Sequence, residues 1–188
     1  MKASIVILCL LCFALTPLAA SHGRSVQGVT FVGRIQAGDA TLTLHNAALL
    51  RYLKVIKAYV AALYLPKGVP PQRVLTDVPK RLELSYLVSI KGDDFGKGAE
   101  PVLRRNLAAE ELARLRSRID RINAAYQDVK PGDRYALTYL PGRGTELALN
   151  GTPLITIEGA DFAAAYFGIW LGRRPIDDKL KNDLLGSV

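Results

Sequence analysis

KPGDRYALTYLPGRGTELALNGTPLITI, residues 130–157, is the stretch that decides the fold class. Past Pro131-Gly132, apolar or aromatic side chains return at every second position as Tyr135, Leu137 and Tyr139. That period places them on one face of a strand. Pro141-Gly142-Arg143-Gly144 turns the chain, and Leu147 and Leu149 resume the alternation. Asn150-Gly151 follows. Both residues accept the positive φ of a type I′ turn, so the pair predicts a tight hairpin. Leu154, Ile155 and Ile157 form a third strand. The stretch therefore predicts a three-stranded antiparallel meander.

Toward the C-terminus, Asp161 to Leu171 reads as a helix rich in Ala and aromatic residues, ended by Gly172. Pro175 to Leu185 is a short last helix. Upstream of the meander, Leu107, Leu112, Leu115, Ile119, Ile122 and Tyr126 recur at helical spacing. Arg114, Arg118 and Arg121 occupy the other side, as a solvated face or as a basic surface for lipid headgroups or a partner. Asp93 or Asp94 caps a weaker helix running toward Leu107, with Gly96, Gly98 and Pro101 against it. Lys80 to Ile90 alternates Leu82, Leu84, Tyr86 and Val88 with Arg81, Glu83 and Ser85, the pattern of a half-buried strand. A short helix through Leu75 follows the break at Pro70-Pro71.

Arg51 to Leu65 reads as one long central strand with a bend near Lys54, although its alanines keep a helix in competition. Thr41 to Leu44 is a strand after the Gly38-Asp39 turn, and Val26 to Ile35 another. Strands, two helices, a meander and closing helices describe an α+β fold. Helices would cover one face of a mostly antiparallel sheet. The cleft between sheet and helices is the expected place for a ligand.

The chain has 188 residues, 49% apolar and 22% charged, with a net charge of +8. This composition fits one globular domain and excludes a disordered or collagen-like chain. Met1-Lys2, the apolar run Ala3 to Leu15, and the small residues Ala19, Ala20 and Ser21 have the layout of a secretory signal. A span needs roughly 20 apolar residues, more than this run offers. Residues 1–21 are thus read as a cleaved signal peptide and residues 22–188 as the domain, in a periplasmic or secreted protein. Cys9 and Cys12 leave with the signal, so no disulfide or thiol site remains in the mature chain. Loss of Lys2 takes the charge from +8 to +7. Such a charge suits anionic partners, lipid headgroups or acidic small molecules, and no nucleic-acid recognition motif accompanies it.

Little in the chain points to catalysis or a metal. His45 is isolated, no Ser-His-Asp set is apparent, and no His/Cys/Asp/Glu cluster suits a metal. PGRGT, residues 141–145, lacks the strand-to-helix setting of a phosphate loop. No cofactor is expected. Arg51 and Tyr59 share parity, so a regular strand would aim both at one face with Leu53, Val55, Lys57, Ala61 and Leu63. An arginine among apolar groups needs an anionic partner. A carboxylate ligand satisfies this through paired hydrogen bonds, with the phenol adding another, and Ala58, Ala61 and Ala62 leave room for its chain. An internal bridge to Glu83, Glu158 or Asp161 satisfies it equally.

Three stretches resemble the chalcone isomerase family: LLRYLKVIKAYVAALYLP at 49–66, residues 130–157 quoted above, and GADFAAAYFGIWLG at 159–172. Behind a signal peptide, the combination is similar to the exported bacterial branch of chalcone isomerase-like proteins. The resemblance implies an open-faced β-sandwich, a large antiparallel sheet with helices layered on it. In the plant enzymes an Arg, a strand Thr, a Tyr, an Asn and a late-helix Ser or Thr serve the ring closure. Arg51 matches the first. The others fall on Tyr59, Phe95, near Val102 and near Ala163, so most of the polar set is replaced. A branch of the family binds fatty acids through the Arg and a strand Tyr, matching Arg51 and Tyr59. The resemblance thus implies a binding protein for a fatty acid or similar apolar carboxylate, with Phe95, Val102 and Ala163 lining its pocket. An isomerase acting on an enone-like substrate and an envelope protein using its basic helix are the alternatives.

Overall fold

The structure is a computed structural model that describes residues 23–186. The signal segment 1–21, with Cys9 and Cys12, lies outside the described residues. In chain order the elements are β1 (Arg24–Val26), β2 (Val29–Phe31), β3 (Arg34–Ala37), β4 (Ala40–Tyr52), β5 (Ile56–Leu65), β6 (Lys80–Tyr86), α1 (Gly92–Asn106), α2 (Ala109–Ala125), β7 (Arg134–Leu140), β8 (Gly144–Leu149), β9 (Thr152–Ile157), α3 (Ala160–Leu171) and α4 (Asp178–Leu185). Strands β3 to β9 form one curled seven-stranded sheet in sequence order, with every neighbour antiparallel. Helices α1 and α2 are inserted between β6 and β7, which still pair directly. This is the α+β, open-faced arrangement the sequence predicts.

The meander is present as read. Asn150 and Gly151 take φ of 51° and 83° at the β8–β9 turn. At the preceding turn, Gly144 has φ of 95°, and a Cβ there would lie 2.5 Å from the carbonyl oxygen of Ile157. Only glycine lets β9 approach so closely. The amphipathic helix is α2, with Leu112, Leu115, Ile119 and Ile122 buried. Its arginine face is partly neutralised. Arg116 pairs with Glu100 at 2.9 Å and Arg118 with Asp161 at 2.7 Å.

The N-terminal third departs from the reading. Val26 to Ile35 is not one strand: Gln27 and Gly28, both at positive φ, fold β1 against β2, and β3 starts at Arg34. The strand read as Thr41 to Leu44 is the thirteen-residue β4. Arg51 to Leu65 is not one strand either. Arg51 and Tyr52 end β4, the chain reverses at Leu53-Lys54-Val55, and β5 returns with Tyr52 opposite Ile56. No Gly, Asn or Pro marks this turn, which is why it escapes a reading by composition. In α1, Asp93 and Asp94 lie in the first turn rather than at the cap, and the Gly92 N–H donates to the Asp128 carboxylate at 2.9 Å.

The sheet has a core on each face. Toward the helices, Ala61, Leu63, Leu82, Leu84, Leu137 and Leu147 pack against α1, α2 and α3. On the opposite face Val60, Ala62 and Tyr64 pack with Phe31 and Leu42. Strand β5 is therefore buried on both sides from Ala58 to Leu65, which removes the polar alternation that would have identified it. Glu83, on that second face, is held by Arg81 at 2.8 Å and Arg134 at 3.1 Å.

Candidate functional site

Between the sheet and the helices lies a cavity of about 700 Å³, well inside the roughly 300–1,000 Å³ range of small-molecule sites. Its floor is Leu50 of β4, Ala58 and Tyr59 of β5, and Leu84 and Tyr86 of β6. Its roof is Phe95, Gly98 and Ala99 of α1, Tyr126 just past α2, and Tyr166, Ile169 and Trp170 of α3. Tyr52, Ile56, Ser89, Lys91, Asp94 and Ile176 are at the rim.

A bulge shapes the floor. Leu50 pairs with Tyr59 but Arg51 pairs with Lys57, so Ala58 is an extra residue on β5. Ala58 and Tyr59, although adjacent, both line the cavity. The small Ala58 leaves room and Tyr59 supplies a phenol.

Four phenols converge. The Trp170 indole N–H donates to the Tyr59 hydroxyl at 2.9 Å, leaving the phenol's own proton uncommitted. The hydroxyls of Tyr126 and Tyr166 bond each other at 3.1 Å. The Tyr86 hydroxyl has no hydrogen-bond partner among the described residues, and its ring meets those of Tyr59 and Phe95 edge-on at 5.7 Å. Burial pushes all four phenols well above the ordinary tyrosine value; at Tyr59 the Trp170 bond opposes the shift. They are neutral donors at physiological pH, unsuited to act as bases. A fifth tyrosine, Tyr135, has its hydroxyl occupied by the backbone of Gln127 at 2.7 and 3.0 Å.

The expected site residues fall in different places. Tyr59 and Phe95 line the cavity. Arg51 does not. Strand alternation between Leu50 and Tyr52, which both line it, turns Arg51 to the opposite face, where it is exposed. The shared parity of Arg51 and Tyr59 fails because a turn and a bulge lie between them. Among the described residues Arg51 forms no salt bridge with Glu83, Glu158 or Asp161: Glu83 is held by Arg81 and Arg134, and Asp161 by Arg118. Val102 and Ala163 are buried in the core of α1 and α3, outside the cavity lining. His45 is on the surface, with Nε2 3.2 Å from the Leu185 carbonyl oxygen.

Sequence reasoning missed the convergence of Tyr126, Tyr166 and Trp170. Tyr166 and Trp170 stand four apart in α3, a local sign of one helix face. Nothing local ties that face to Tyr59. Among the described residues the one cation lining the cavity is Lys91, at the rim, which pairs with Asp128 at 2.6 Å. Among the described residues no group of His, Cys, Asp or Glu could hold a metal ion, and no helix is long and apolar enough to cross a membrane.

A solved fatty-acid binding protein of Arabidopsis thaliana shares this fold. The two align with a TM-score of 0.66 at 15% identity, over 87% of this chain and 96% of that one. No curated protein sequence matches the chain. The family model described as chalcone isomerase-like matches residues 23–186, the whole of the sheet and its helices. The chain belongs to the chalcone isomerase-like family.

Proposed function

We propose that the protein binds a fatty acid, or a similar long apolar molecule with a hydrogen-bond-accepting end, in the cavity between sheet and helices. The observation that carries this reading is the combination of apolar walls with a Tyr59 phenol whose proton is free. The fatty-acid binding protein of Arabidopsis thaliana with the same fold supports it. The apolar chain packs on Leu50, Leu84 and Ile169, and the carbonyl oxygen accepts from Tyr59, with Tyr86 as a second donor. Among the described residues no cation lines the deep part of the cavity, so an ionised carboxylate there would be unpaired at a cost of several kcal/mol. A fatty acid is therefore taken as the neutral acid. The signal-like residues 1–21 support an exported site of action.

Displacement of a fluorescent fatty acid by palmitic acid tests this. Affinity rises as pH falls from 8 to 5, and Tyr59→Phe weakens it about five- to tenfold, the effect of one hydrogen bond. Affinity that is flat with pH, or unchanged in Tyr59→Phe, would sink the reading. The same free phenol proton can polarise a ketone, which keeps an isomerase reading in view. Absorbance loss from an enone panel, abolished by Tyr59→Phe, would establish it.

A further inference from the structure

Among the described residues, most of the exposed large apolar side chains sit at the β4–β5 turn. Tyr52, Leu53, Val55 and Ile56 are 60, 70, 73 and 45% exposed, and they stand two on each side of Lys54 around one tip. Water gains nothing from such a cluster, and contiguous exposed apolar groups mark interaction sites. The turn backbone makes the choice of residues more pointed. Leu53 and Lys54 hold φ of 49° and 64°, a region where bulky side chains are disfavoured. The β8–β9 turn of the same chain meets the same demand with Asn150-Gly151. A tip kept only for folding has that solution available; this one keeps leucine and lysine.

Its charge is one-sided. Arg51, Lys54 and Lys57 flank the tip, and no Asp or Glu occurs anywhere between Asp39 and Asp77. Among the described residues, none of the three enters a salt bridge. Lys57 only donates to the Gln27 side chain, at 2.6 Å. The patch is also continuous with the cavity mouth. Tyr52 and Ile56 belong to both, and Ile176, 39% exposed, extends it.

We propose that the β4–β5 tip docks on an anionic phospholipid surface, inserting Leu53 and Val55 among the acyl chains while Arg51, Lys54 and Lys57 meet headgroup phosphates. Docking there brings the mouth of the cavity against the bilayer. A second copy of the chain is disfavoured as occupant, since two tips of three unpaired cations repel. The basic face of α2 is a weaker candidate, because Arg116 and Arg118 are already paired. Docking stands on the tip alone and does not depend on what the cavity holds.

Flotation of the whole protein with phosphatidylglycerol-containing and with pure phosphatidylcholine vesicles tests this. Binding to the anionic vesicles is expected, weakened by salt. Arg51→Glu with Lys54→Glu lowers partitioning at least tenfold, each cation near such a surface contributing about a fivefold preference. Leu53→Ser with Val55→Ser lowers it by a similar factor. Arg114→Glu with Arg121→Glu changes it less than twofold. The tip is exposed, so these variants keep the wild-type circular dichroism. In Val55→Trp, the added emission shifts to the blue and is quenched by brominated phospholipid. Partitioning insensitive to the tip variants, or abolished by the α2 variant, overturns the proposal. So does a lipid-free dimer that Leu53→Ser with Val55→Ser converts to monomer.

Discussion

The indole N–H of Trp170 donates to the hydroxyl of Tyr59 at 2.9 Å, joining residues 111 positions apart across the wall of the cavity. Both side chains are buried, so each polar atom depends on the other. Tyr59→Phe leaves the indole N–H without an acceptor. Such an orphaned group costs about 1–3 kcal/mol. Trp170→Phe costs more, since it also removes packing against Tyr166. Chemical denaturation of both single variants and the double variant measures the coupling. The double variant should be less destabilised than the sum of the two, and strict additivity would show the bond to be energetically idle.

Arg51 is where the structure and the family resemblance part. Its side chain leaves the face that Tyr59 occupies, so Arg51→Ala should leave fatty-acid affinity within about twofold and stability within about 0.5 kcal/mol. A tenfold loss in the displacement assay would place the guanidinium on the ligand after all.

Lys80 is fully buried on β6, with Nζ 2.8 Å from the Thr76 carbonyl and 4.4 Å from the centre of the Tyr139 ring. Burial lowers its ammonium to about 8, with Asp77 opposing the shift. Below pH 8 the ammonium is charged in both folded and unfolded chains. Between pH 8 and its ordinary value of 10.5, the unfolded chain binds more proton, so stability rises with pH. The gain is on the order of 2 kcal/mol. Urea midpoints from pH 8 to 10 should climb in the wild type and stay flat in Lys80→Met. Above pH 10 the raised phenols act in the opposite sense, because the unfolded tyrosines release protons first.

Glu83 sits between two arginines on the buried second face of the sheet. Glu83→Ala leaves Arg81 and Arg134 facing each other without their carboxylate. Breaking a fully buried pair costs about 3–5 kcal/mol. Here the arginines keep some contact with water, so about 2 kcal/mol is expected. Glu83→Gln should recover part of it by keeping the hydrogen bonds. Thermal unfolding of the two variants separates charge from hydrogen bonding.

Alternation made β6, β7 and β8 legible, because each carries its apolar residues at every second position toward the helices. Asn150-Gly151 named its own turn, since the demand for positive φ is met by residue type. The stripe of α2 was legible for the same kind of reason, one face buried and one wet. The β4–β5 turn was not, because Leu53 and Lys54 occupy positions that composition assigns to Gly or Asn. Strand β5 was ambiguous, because both its faces are covered and its alternation is erased.

The sequence by itself determined the α+β class, the meander and the principal helix, all of which follow from short-range periodicity and turn chemistry; Tyr59 was singled out by the family resemblance, not by spacing. Only the tertiary structure decided that Arg51 turns away from Tyr59, and that Trp170, Tyr126 and Tyr166 converge on it. Those relationships depend on a bulge, a turn and the closing of helices over a curled sheet. Side chains far apart in the chain meet there because of packing, and local spacing carries no record of it.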